Sequence, residues 1–271
     1  MDDRTLMANQ WWGVVGIPPG ETHHWRIGPL DLWIKRLTGE WRVAYGTADD
    51  PMDSSLESER LREDPDLAAL GEVERYAVDD TAEALTLEPA LADRAIITRP
   101  ETPFHVPAGE QVTVYVSTPL WVRIAAGDPP DRLREGPISR PSDTWFGPNT
   151  REGELCYASR TRFVLNLENA PMVPHRATTA LLIRNRADDA LSLERINLPV
   201  ETLSLFQGPD GRIWTPDVRL ERTAEDEFAE LHVGSGEPEQ AKGATRIAEP
   251  RRKPSGNAVI RAFSSLLKPW Q

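Results

Sequence analysis

Two stretches decide how the chain is read: 104–126, FHVPAGEQVTVYVSTPLWVRIAA, and 143–167, DTWFGPNTREGELCYASRTRFVLNL. In the first, Val, Thr and Tyr alternate in short runs broken by Pro-Ala-Gly-Glu and Ser-Thr-Pro, which predicts strand, turn and strand, with strands over 111–117 and 120–125. In the second, 144–149 reads as a packed turn, and 154–158 and 161–167 as the next pair of strands. Outward from this centre the same pattern repeats. WWGVVGI (11–17), 23–27, PLDLWIKRL (29–37) and 41–45 read as strands, the last two joined by Thr38-Gly39-Glu40 as a hairpin turn. The acidic run around SSLESERLRED, within 49–70, breaks the pattern and reads as a short exposed helix or loop. Strands return at 72–87 and 95–98.

Beyond residue 178, ATTALLIRNR and ALSLERINL flank Ala187-Asp188-Asp189, and ETLSLFQ and RIWTPDVRLER flank Gly208-Pro209-Asp210-Gly211; both read as hairpins. Many short strands with close turns and no βαβ alternation predict an all-β protein, built as one or more antiparallel β-sandwiches. The break Gly127-Asp128-Pro129-Pro130-Asp131 places a boundary between an N-terminal β domain or subdomain, 1–126, and a C-terminal one, 127–233. Residues 234–256 are polar and rich in Pro and Gly, and read as a flexible linker.

The last residues, NAVIRAFSSLLKPWQ (257–271), change character. Val259, Ile260, Phe263, Leu266, Leu267 and Trp270 fall on one stripe of an α-helix, with Asn257 as its N-cap. From residue 234 on, seven Lys/Arg stand against three Glu, a net +4, which leaves −16 on the rest of a chain whose net charge is −12. A helix over 257–268 would be about 18 Å long and marginal alone in water, so it needs a surface to fold against. Three surfaces are open to it: the protein's own body, a groove on a protein partner, and a lipid headgroup layer. The six apolar positions of the stripe are the candidate partner-binding residues.

The net charge of −12 argues against nucleic acid as a partner, since phosphate binding depends on Lys and Arg. MDDRTLMANQ has no apolar core and does not read as a signal peptide, and no run reaches the roughly 18 apolar residues that span a bilayer. The one cysteine, Cys156, has no intrachain partner and reads as a buried core residue, which fits a reducing, cytoplasmic compartment. Trp11, Trp12, Trp25, Trp33 and Trp41 crowd one segment and read as core filling rather than a stacking platform. No phosphate-binding, dinucleotide, CxxC, HExxH or GxSxG motif is present. His23, His24, His105, His175 and His232 lack the spacing of a metal site, so no cofactor is expected. Asp143 beside Trp145 and Phe146, with Glu152 and Glu154 near in sequence, is the pair-forming carboxylate group a glycosidase would need. Capping and solvation explain the same residues without chemistry.

At TWFGPNTREGELCYA (144–158) and LLIRNRADDALSLERINLP (181–199), with similarity over about 95–220, the chain resembles a family of bacterial and archaeal proteins catalogued as a domain of unknown function. The resemblance implies a mostly β fold and no assigned activity. Through gene neighbourhood it also implies an oligomeric membrane protein, such as a mechanosensitive-type channel, as partner. Two function classes follow. The first is a non-catalytic cytoplasmic β protein that docks onto a partner, peripheral to a membrane, through 257–271. The second is a β-sandwich enzyme or carbohydrate-type ligand binder with an aromatic-flanked carboxylate cleft.

Overall fold

Short runs that alternate apolar and polar residues can bury only one side at a time, so they are stable as strands whose apolar sides share a core. In the computed structural model strands such as 30–37 follow that rule, while the central strands 96–98 and 196–198 and most of 176–185 are buried on both sides. The structure describes residues 10–78, 84–127, 130–147, 149, 151–223 and 229–253. In chain order the strands are β1 (Gly13–Gly16), β2 (Thr22–Ile27), β3 (Leu30–Leu37), β4 (Glu40–Thr47), β5 (Leu56–Arg60), β6 (Glu72–Ala77), β7 (Ala84–Ala90), β8 (Ile96–Thr98), β9 (Phe104–Val106), β10 (Gln111–Pro119), β11 (Trp121–Ala126) and β12 (Asp131–Pro137). They continue as β13 (Ser142–Phe146), β14 (Glu154–Ala158), β15 (Arg176–Asn185), β16 (Leu191–Leu193), β17 (Ile196–Leu198), β18 (Leu205–Gln207), β19 (Ile213–Trp214), β20 (Val218–Arg222), β21 (Glu230–Val233) and β22 (Thr245–Ala248). The protein is mostly β, in several sheets dominated by antiparallel pairs. Among the described residues, no helix is long and apolar enough to cross a membrane.

The chain divides into two compact units, and it does not divide in sequence order. One comprises Met1–Ala90, Leu120–Arg140 and Val173–His175; the other comprises Leu91–Pro119, Pro141–Met172 and Arg176–Gln271. The boundary expected at 126/127 falls inside a hairpin, because β11 and β12 pair antiparallel across it. Gly, Pro and Asp mark a tight turn as well as they mark a linker, which is why the two look alike in sequence.

The first unit holds a five-stranded sheet, β5-β2-β3-β4-β6, and a four-stranded sheet, β1-β7-β11-β12. Along β3, Leu30, Leu32 and Ile34 are buried while Asp31, Trp33 and Lys35 lie partly exposed between them. Trp11, Trp25 and Trp41 are fully buried and Trp12 nearly so, so the aromatic segment fills a core. Such rings cover on the order of 150–250 Å² each. Trp33 differs: His24 stacks on it at 4.9 Å and 10°. Gly39, at φ 69°, turns β3 into β4 as its position required. The stretch 49–70, expected as helix or loop, carries both β5, which pairs with β2, and the four-residue helix α1 (Leu67–Leu70). An edge strand with one side in water tolerates LESER, so charge hid it. Arg134 of β12 joins the two sheets: its guanidinium lies 3.5 Å from the Tyr45 ring centroid and 3.0 Å from Glu74 of β6.

The second unit is built on β15. One edge of β15 pairs along its length with β10, antiparallel. Parallel pairings with β19, at Ala177–Thr178, and with β20, at Leu181–Asn185, complete its ladders. The larger sheet runs β21-β20-β15-β19-β18-β22, and two smaller sheets are β13-β14-β8-β17 and β16-β9. The expected hairpin about Gly208–Gly211 forms between β18 and β19. The one expected about 187–189 does not, because β16 turns away to pair with β9. Residues 161–167 make only isolated bridges, Phe163 to Pro100 and Val164 to Tyr115, and β14 pairs instead with β13 and β8. The 234–256 stretch, expected as a linker, is tied down in part: a 3-10 turn at Glu239–Ala241 leads to β22, which pairs with β18. Ala241 packs on Phe206 and Trp214, so a small apolar residue in a polar run was enough to anchor it.

Candidate functional site

The six stripe positions, Val259, Ile260, Phe263, Leu266, Leu267 and Trp270, lie outside the described residues. What is described is where the chain leads toward them. Arg251 Nε donates to the Leu91 carbonyl at 2.6 Å, and the Arg252 amide donates to the Glu201 carbonyl at 2.9 Å. The basic run 251–253 is thereby held against the second unit, beside the β13–β14 hairpin.

That hairpin has two unlike faces, set by its register. Asp143 faces Tyr157 and Trp145 faces Leu155, while Thr144 faces Cys156 and Phe146 faces Glu154. Side chains alternate along a strand, so Asp143, Trp145, Leu155 and Tyr157 share one face and Thr144, Phe146, Glu154 and Cys156 the other. The inner face is core: Phe146 and Cys156 pack with Ala95 and Ile97. Burial pushes the Cys156 thiol up to about 12, with Glu154 and Glu201 adding to it. Glu154 accepts from Asn197 Nδ2 at 2.5 Å. Glu201 is held above the usual carboxylate range mainly by burial; neighbouring Glu154 and Asp93 push the same way and Arg252 opposes them.

The outer face presents apolar surface to water. Trp145 is 44% and Leu155 48% exposed. Among the described residues, they are the only two exposed large apolar side chains that face each other across a strand pair. The indole is held in place, since its Nε1 donates to the Asn149 carbonyl at 2.9 Å. Asn149 in turn is fixed: its Oδ1 accepts from the amides of Arg151 and Glu152. Gly153, at φ 157°, lets the ring fold over the turn, where a Cβ would come within 2.8 Å of Trp145 Nε1. Arg94 pairs with Asp143 at 3.2 Å and lies 5.3 Å over the Tyr157 ring, while the Tyr157 hydroxyl donates to Asp93. The result is a fixed aromatic anchor and an aliphatic neighbour, rimmed by Asp93, Asp143 and Glu152.

The carboxylates read from sequence as a catalytic group are not brought together. Asp143 stands on the outer face bound to Arg94, Glu154 on the inner face bound to Asn197, and Glu152 lies in the turn, accepting from Asn149 Nδ2. Strand alternation, which sequence proximity ignores, is the reason.

Sequence reasoning missed a cleft of about 330 Å³ on the larger sheet. Register lines up Thr113, Leu182, Arg219 and His232 across β10, β15, β20 and β21 on its floor. At its edge Asp217 accepts the Glu239 amide at 2.9 Å, and burial holds its carboxyl above the usual range. Four strands far apart in the chain form this row, so no local motif could have signalled it.

A family model described as Protein of unknown function (DUF432) matches residues 11–268. The chain belongs to this family. No curated protein and no solved structure matches the chain. The DUF432 match includes the stretch that carried the resemblance and extends well beyond it at both ends. It takes in five of the six stripe positions, leaving Trp270 beyond its end.

Proposed function

We propose that this DUF432 protein is a non-catalytic, cytoplasmic docking protein that engages a protein partner through residues 257–271. The partner class is an oligomeric membrane complex of the mechanosensitive-channel kind, which would place the protein at the membrane periphery. The observation that carries the reading is the C-terminal stripe itself. Six apolar anchors at helical spacing, in a +4 segment attached to a −16 body, lie within or directly beside the family match. Burying the stripe could yield on the order of 10 kcal/mol gross, at about 1.5–3 per side chain. Ordering the segment at roughly 1–2 kcal/mol per residue cancels most of it. A single tail therefore binds weakly, and several copies on an oligomer would supply firm attachment.

The test is Phe263→Asp with Leu267→Asp in the full chain, used as bait against solubilised membranes of the native organism. The reading expects an integral membrane complex, identified by mass spectrometry, to be captured by the parent and lost by the variant, with the melting temperature nearly unchanged. Equal capture by both proteins would overturn it. The enzyme alternative depended on Asp143, Glu152 and Glu154 converging beside Trp145, and no observation favours it.

A further inference from the structure

We propose that the Trp145–Leu155 face of the β13–β14 hairpin is a seat for an amphipathic basic segment, and that its occupant is the chain's own residues 257–271. This rests on the reading of 257–271 as a docking segment and adds that the body competes with the partner for it. Three observations converge.

The face is suited to an apolar stripe. Trp145 and Leu155 are directly opposed and about half exposed. The indole N–H is already satisfied by Asn149, so a docking chain meets a ring that is oriented and needs no further polar contact. Anchors of this kind, held in place before binding, carry most of the energy at interfaces.

The second observation is position. The described chain reaches Lys253 just after Arg251 and Arg252 are tied to Leu91 and Glu201. Both contacts adjoin the hairpin: Glu201 lies within electrostatic reach of Glu154 and Asp93, and Asp93 accepts from Tyr157 of β14. Val259 is six Cα steps beyond Lys253, enough to span about 20 Å when extended.

The third is charge. Asp93, Asp143 and Glu152 rim the seat, with Arg94 paired to the first two and leaving the rim net acidic, and the segment brings Arg261 and Lys268. The basic run before it already lies against this acidic region.

The experiment uses the full chain and two variants, Trp145→Ser with Leu155→Ser, and Phe263→Asp with Leu267→Asp. The readouts are the rate of tryptic cleavage at Arg261, the molar mass in solution, and capture of the membrane partner. A seated segment is protected, so cleavage at Arg261 should be slow in the parent and several-fold faster in both variants, with every protein monomeric and equally stable to heat. Partner capture should rise in the Trp145/Leu155 variant, whose segment is always free, and vanish in the Phe263/Leu267 variant. Fast cleavage in the parent, or an unchanged rate in the Trp145/Leu155 variant, would overturn the seat and leave partner capture to judge the docking function by itself. Protection that disappears together with a dimer would place the segment on a second copy and overturn the intramolecular seat. Equal capture by the parent and the Phe263/Leu267 variant, with Arg261 protected in the parent, would count against the docking function alone.

Discussion

At the scale of single residues, burial without an opposite charge is the recurring theme. Arg176 is only 4% exposed and pairs with no carboxylate among the described residues; Nε donates to Ser117 Oγ, and an Nη donates to the Ser117 carbonyl and to Thr161 Oγ1. Burial lowers it to about 10, so it stays charged at neutral pH. Its fork ties β10 and β15 to the 159–163 loop, and Arg176→Met should cost about 1–3 kcal/mol, chiefly by taking the donor from Ser117 Oγ, since the Ser117 carbonyl keeps Thr161 Oγ1. Arg176→Lys should restore little, since one ammonium cannot reproduce the planar geometry. Urea unfolding of the three proteins checks both statements. Cys156 is the opposite case, a thiol that burial keeps neutral. It should label slowly with a thiol reagent in the native protein near pH 8 and at once after denaturation; fast native labelling would contradict its burial. Glu201 gives a pH-dependent expectation. Its folded-state value lies above the ordinary one, so its contribution is fully present below the unfolded value and is lost as pH rises through the folded value. Glu201→Gln should therefore melt higher than the parent near pH 8 and close to it near pH 4, and a reversed order would contradict the assigned cause.

At the scale of elements, turns and register decide what a strand presents. The β3–β4 hairpin was legible because Gly39 sits between two alternating runs of matched length. The β13–β14 hairpin was only half legible: its strands followed from alternation, but which side faces water depended on Phe146 and Cys156 finding Ala95 and Ile97. Gly153→Ala tests the turn. A Cβ there would press on the Phe146 carbonyl at 2.5 Å as well as on the Trp145 indole, so stability should fall by roughly 1–3 kcal/mol. The same change should free the Trp145 ring, and tryptic protection at Arg261 should weaken with it. Strand β5 shows the converse limit. LESER is a poor strand by composition, and only its pairing with β2 makes it one.

At the scale of the whole molecule, the interleaving of the two units has a direct consequence. The chain passes between them at 90/91, 119/120, 140/141, 172/173 and 175/176. A fragment 1–126 keeps β11 but loses its partner β12, and keeps β10 but loses β15; fragment 127–271 carries the other halves. Neither should fold, which circular dichroism and solubility of the separate fragments would show, while the two together regain β structure only if strands can exchange partners. Sequence by itself determined the all-β class, the burial of Trp11, Trp12, Trp25, Trp41 and Cys156, and the Gly39 turn, because each follows from periodicity or turn chemistry within a few residues. Tertiary structure alone decided the partners of β14, β15 and β16, the strand hidden in 234–256, and the separation of Asp143 from Glu154. It also exposed Trp145 beside Leu155. Pairing is a choice among distant strands of similar pattern, and the shared core that settles it exists only once the chain has folded.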